Sequence, residues 1–197
     1  MRVVAPLLIS CMMLAPTVWQ ASHAQTDVAA IIESARQDAR EASELKTALN
    51  DPDQNVRLAV FEHMLRSEKE ATRLMALEAG LGSADTLMRA MAFKALIMKL
   101  NAIHVTLAPD TKATSARQEA ARKHLDRQGN EMVIQMSSKE PDKGTFRWGT
   151  GSGQVSGLLF NVTHGATSVT LSLQDDNTLA GLVRNNQTSF VGTARLL

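Results

Sequence analysis

The chain has 197 residues, room for one domain or two small ones, and 44% of them are apolar. Its 21 basic and 20 acidic residues give a formal charge of +1 with no basic stripe, which excludes an electrostatic footprint for nucleic acid. One cysteine and no tyrosine argue against a disulfide framework and against a sugar-stacking surface of exposed rings.

The N-terminus has the three parts of a cleavable export signal. Arg2 is followed by an uncharged apolar stretch over 3–19, then by the small and polar Ala21-Ser22-His23-Ala24-Gln25. Peptidases of this class need small side chains one and three residues before the cut, so Ser22 and Ala24 predict cleavage between Ala24 and Gln25. Pro6 and Pro16 interrupt a run shorter than the roughly 20 apolar residues of a spanning helix, so no membrane span is expected after cleavage. The expected location is the periplasm or the outside of the cell. Leu8-Ile9-Ser10-Cys11 resembles a lipoprotein box, which would anchor the protein through Cys11; the apolar run, however, continues through Met12, Met13 and Leu14. Cleavage at Ala24 leaves a mature chain without cysteine and with 20 bases against 20 acids.

Residues 28–100 carry helical spacing: Val28, Ile31, Ile32 and Ala35, then Leu45, Ala48 and Leu49. Thr26 or Asp27 is the expected cap of the first helix. Residues 45–65 align with 75–97 at an offset of 81 − 49 = 32. Leu49 matches Leu81, Asp53 matches Asp85, Arg57 matches Arg89 and Phe61 matches Phe93. With Asp51-Pro52-Asp53 breaking one helix and starting the next, this segment resembles HEAT-type helical repeats. The resemblance implies stacked helical hairpins and a protein-binding surface. Two copies are fewer than the three or more that such arrays normally need, so the helices are expected to pack on something else.

Residues 101–128 read as a transition. It ends in a short polar helix over 116–127 whose cations Arg117, Arg122, Lys123 and Arg127 form a solvated face.

From Glu131 the period becomes two. Met132, Ile134 and Met136 alternate with polar neighbours, followed by Phe146 and Trp148, by Leu158, Phe160 and Val162, by Val169, Leu171 and Leu173, and by Leu179 and Val183; residues 189–196 alternate less cleanly. The turns at Pro141-Asp142-Lys143-Gly144, His164-Gly165, Asp175-Asp176-Asn177 and Asn185-Asn186 predict an antiparallel meander of five or six strands. Gly157, Gly181 and Gly192 fall inside those strands, where glycine marks bends, so a curved sheet or small open barrel is expected.

The chemistry in the sequence is thin. Gly149-Thr150-Gly151-Ser152-Gly153 lacks a P-loop lysine and a following helix, so it reads as a hairpin loop. Ser152 does not fit a nucleophile elbow. His63, His104, His124 and His164 have no partner at metal-ligand spacing. Asp175-Asp176-Asn177 lacks the glycine and distal glutamate of a calcium loop. Asn161-Val162-Thr163 and Asn186-Gln187-Thr188 are glycosylation sequons, relevant only on a eukaryotic export route.

The expected protein is therefore α+β: a signal peptide over 1–24, a helical HEAT-like region over 25–127 and an antiparallel β-meander over 128–197. No catalytic, cofactor-binding or metal-ligating residue is assigned. The expected role is a non-catalytic interaction module with a protein partner. The alternative is a small-ligand or lipid carrier using the curved sheet.

Overall fold

The computed structural model describes the backbone of residues 21–196 and the side chains of 27–196. Cys11 and the apolar stretch before Gln20 lie outside the described residues, as do the side chains of Ser22 and Ala24. The described residues divide into two units at the boundary between Thr47 and Ala48.

In the first unit, α1 (Ala21–Ala48) is a continuous helix without glycine or proline. It starts before Thr26 and Asp27, so neither residue caps it. Good helix formers surround both positions and nothing there breaks the run.

The second unit begins with α2 (Gln54–Leu65), α3 (Glu70–Leu81) and α4 (Thr86–Lys99). Their caps are Asp53, Lys69 and Asp85, so one helix recurs every 69 − 53 = 85 − 69 = 16 residues. The offset of 32 in the sequence is thus two single-helix periods. Local chemistry repeats with the same period. The side chains of Asp51, Ser67 and Ser83 accept the backbone N–H of the caps two residues on, at 2.8, 3.2 and 3.0 Å. Arg57 donates to the carbonyls of Asp51 and Pro52, and Arg73 to those of Ser67 and Glu68, tying each helix to the turn that precedes it. Asp53 and Asp85 also accept from their own first turns, a cap worth about 1 kcal/mol each. Phe61, Leu77 and Phe93 hold one repeat position, and all three are buried.

The rest of the unit is a nine-stranded antiparallel sheet. Its strands are β1 (Ala102–Pro109), β2 (Glu131–Gln135), β3 (Ser137–Glu140), β4 (Thr145–Trp148), β5 (Gly151–Ser156), β6 (Leu159–His164), β7 (Thr167–Leu173), β8 (Thr178–Arg184) and β9 (Ser189–Arg195), with α5 (Ser115–Gln128) between β1 and β2. The spatial order is β2-β1-β9-β8-β7-β6-β5-β4-β3. The two outermost strands, β2 and β3, are separated in sequence by Met136 alone, so the sheet curls round until it nearly closes as a barrel. The Met136 N–H donates to the Asn101 carbonyl at 2.8 Å, and Lys139 Nζ to that of Leu100 at 3.1 Å, holding the bend beside the start of β1.

The α+β class with helices first and a β-meander curling into an open barrel is therefore present, but with nine strands rather than five or six. Two of the extra strands have identifiable reasons for being missed. β1 lies in the stretch read as a transition, although Ile103, Val105 and Leu107 alternate inward there. β5 includes Gly151 and Gly153, read as part of a loop. A Cβ on Gly153 would stand 2.1 Å from the Phe146 ring, so this glycine is a strand residue making room for a neighbour. Gly157, by contrast, sits in the β5–β6 turn at φ +58°. Gly181 and Gly192 pair across β8 and β9, where Gly192 leaves space for Val105 and Val183.

Of the alternating apolar residues, Ile134, Phe160, Leu171, Leu173 and Val183 are buried, and Met132 and Leu158 half-buried. The barrel interior is packed. Phe146 and Phe160 stack at 5.4 Å, and Val105, Phe160, Leu171 and Leu179 have no exposed surface, as befits a barrel narrow enough for side chains to fill.

α4 and α5 both meet the barrel. Arg89 of α4 reaches the β7–β8 turn, donating to the Gln174 carbonyl at 2.5 Å and to Asp175 Oδ1 at 2.8 Å, while Lys94 donates to the Asp142 carbonyl. α5 packs on β1 and β9 through the buried Ala121 and through His124, whose ring lies 5.4 Å from that of Phe190.

Candidate functional site

The residues of chemical interest in the sequence are scattered over the unit by the fold. His63 is exposed on α2. His104 Nδ1 lies 2.5 Å from Glu131 Oε1 on the outer face of β1 and β2, both side chains well exposed. His124 is half-buried on α5 against Phe190, and His164 packs against Trp148 at 5.0 Å between ring centres. Among the described residues no three His, Cys, Asp or Glu side chains come together as metal ligands.

Asp175, Asp176 and Asn177 form the β7–β8 turn, where Asn177 Oδ1 is buried without a hydrogen-bond partner among the described residues. Asp175 pairs with Arg89, and Asp176 Oδ1 accepts from the Thr178 N–H and hydroxyl. Those bonds, the hydroxyl first, hold the Asp176 carboxyl below its ordinary value. Asn161 lies half-buried on β6 and Asn186 exposed beyond β8. Gly149-Thr150 forms the tight β4–β5 turn, with Gly149 at φ +56°.

One polar pair is interior, and the sequence offered no sign of it. The Ser189 hydroxyl donates to Asp110 Oδ2 at 2.7 Å, with both residues buried, and Asp110 Oδ1 accepts from the Lys112 N–H. The Ser189 bond first, then the Lys112 N–H and the nearby positive charge of Arg184, hold the Asp110 carboxyl below its ordinary value. Among the described residues no histidine hydrogen-bonds to the pair, and the hydroxyl is spent as a donor to a carboxylate. Its chemistry is that of a clasp between the end of β1 and the start of β9.

The most exposed apolar feature is on α1. Val28, Ile31 and Ile32 are 55%, 66% and 46% exposed and lie on one face at helical spacing, with Ala35 beside them. Ala42 and Leu45, further along the helix, are half-buried. The opposite face carries Glu33, Gln37 and Glu44. Single exposed apolar residues are ordinary, but three large ones on consecutive turns make a stripe. No described helix is long and apolar enough to cross a membrane. Comparison of the chain with protein-family models, with curated proteins and with solved structures returns no match.

Proposed function

We propose that this protein is an exported, non-catalytic interaction module of the periplasm or cell exterior, whose helical part binds a protein partner. The observation that carries the reading is the α1 stripe of Val28, Ile31 and Ile32, large β-branched side chains left exposed on a helix otherwise built of polar residues, alanines and Leu45. A helix whose apolar face is uncovered gains most by laying it into a partner's groove, with anchors at the spacing seen here. The resemblance of 45–97 to HEAT-type repeats supports the same role. The export signal over 1–24 supports the location. The packed barrel interior speaks against the alternative of a carrier holding its cargo inside the sheet.

The reading is tested by placing a photo-crosslinking residue at Ile31 or Ile32 of the exported protein in intact cells. A discrete adduct with one protein at both positions, absent when the probe stands at Gln37 on the opposite face, is expected. Equal labelling of the two faces, or none, would remove the stripe as the docking surface.

A further inference from the structure

The outer face of β8 and β9 carries the polar Thr178, Arg184, Thr193 and Arg195, with an apolar cluster among them. Ala180, Leu182 and Val191 point outward there, with Val191 38% exposed. Together with the 110–114 loop and the first turn of α5 they line an open groove of about 690 Å³. That volume is in the range of small-molecule sites, and an apolar floor with a few polar groups is their usual lining.

The rim is cationic. Lys112, Arg117 and Arg184 come to it from the loop, from α5 and from the end of β8. Their side chains are exposed, and none makes an ion pair among the described residues. The one acid lining the groove is Asp110, whose carboxylate is buried and already engaged by Ser189 and the Lys112 N–H. Three cations less one carboxylate leave a charge of +2 at this groove, in a chain whose formal net charge is only +1. Thr114, at the cap position of α5, makes no side-chain bond to the helix, so the positive end of α5 adds to the same field.

We propose that this groove binds a free, single-chain anionic amphiphile. Its carboxylate or phosphate head lies among Lys112, Arg117 and Arg184, and its first several carbons lie on Ala180, Leu182 and Val191. The charge selects the head and the apolar floor selects the tail, so neither a short acid nor a neutral alcohol satisfies both. The site is independent of the α1 stripe and of any protein partner.

Decanoate below its micellar concentration is the probe, titrated calorimetrically into the full chain, with acetate, decanol and phosphatidylglycerol vesicles as comparisons. Saturable 1:1 decanoate binding is expected, at least tenfold tighter than for acetate or decanol. Lys112→Gln combined with Arg184→Gln should weaken it about tenfold, and Val191→Asp should weaken it at least as much. Lys112 and Arg184 are exposed, so the charge variant keeps the fold, and its melting curve verifies that. Lys123→Gln, a cation of α5 outside the groove, should leave binding unchanged. Absent or non-saturable decanoate binding overturns the proposal. So does binding that survives the charge variant, or binding seen only with vesicles.

Discussion

Gly80 of α3 lies directly against the ring of Phe61 in α2. A Cβ built on this glycine would stand 2.5 Å from the Phe61 ring and 2.6 Å from the Ala92 Cβ of α4. The three helices cross where the middle one has no side chain. Alanine is the better helix former by about 1 kcal/mol, but overpacking such a site costs about 1–3 kcal/mol. Gly80→Ala is therefore expected to lower the melting temperature. Adding Phe61→Leu should recover part of the loss, because the smaller side chain vacates the space. A Gly80→Ala protein as stable as the parent would show that the helices do not cross here.

Phe61 and Phe93 occupy equivalent positions two periods apart, and neither has exposed surface. Changing either to alanine should cost about 3–5 kcal/mol in denaturant unfolding, the usual range for a packed aromatic. Leu77, at the intervening period, should cost about 2–5 kcal/mol. Three unchanged midpoints would mean that the 16-residue period has no shared core.

Asp85 and Asp110 set the expected acid behaviour. The Gln54 amide first, with the Met88 and Leu87 N–H groups and Arg57, holds the Asp85 carboxyl low; Ser189 does the same for Asp110. A carboxyl lowered in the folded state stabilises above its unfolded value of about 4, and that contribution is lost as pH falls through the lower folded value. Stability should therefore decline below about pH 4. In the Asp85→Asn, Asp110→Asn double variant the decline should be shallower and the neutral-pH melting temperature lower. An unchanged acid profile in that variant would remove both carboxylates from the account.

The barrel needs β1. It pairs with both β2 and β9, and without it β9 keeps only β8 and β2 has no partner among the described strands. Residues 128–197 alone are expected to give a poorly dispersed amide spectrum and no cooperative melt, while residues 101–197 should show more native-like dispersion. A cooperative melt from the shorter fragment would make β1 and α5 dispensable to the sheet.

N-terminal sequencing of exported protein should find a mature start at Gln25, from the small residues Ser22 and Ala24. A lipid-modified start at Cys11 would instead place the protein on a membrane leaflet.

The strands legible in the sequence were those with large apolar residues at every second position, such as Val169, Leu171 and Leu173. β5 escaped because its inward positions are Gly153 and Val155, and a glycine there carries no hydrophobic signal. The candidate surfaces divide in the same way. Val28, Ile31 and Ile32 were visible as one helix face, but periodicity does not say whether a face is covered. The cationic groove was not legible at all. Lys112, Arg117 and Arg184 span more than 70 residues, and Ala180, Leu182 and Val191 become one floor only when β8 pairs with β9.

The helices ahead of the main run of strands, the helix starts at Asp53 and Asp85 and the inward face of most strands were determined by the sequence itself, because they depend on groups within a few residues of one another. The closing of the sheet through Met136, the Asp110–Ser189 clasp across 79 residues and the join of Arg89 to the β7–β8 turn were decided only by the tertiary structure. Each of these pairs groups far apart in the chain. Local propensity carries no information about which distant carbonyl or carboxylate a side chain will meet; that partner is chosen when the apolar rows of the barrel come into register.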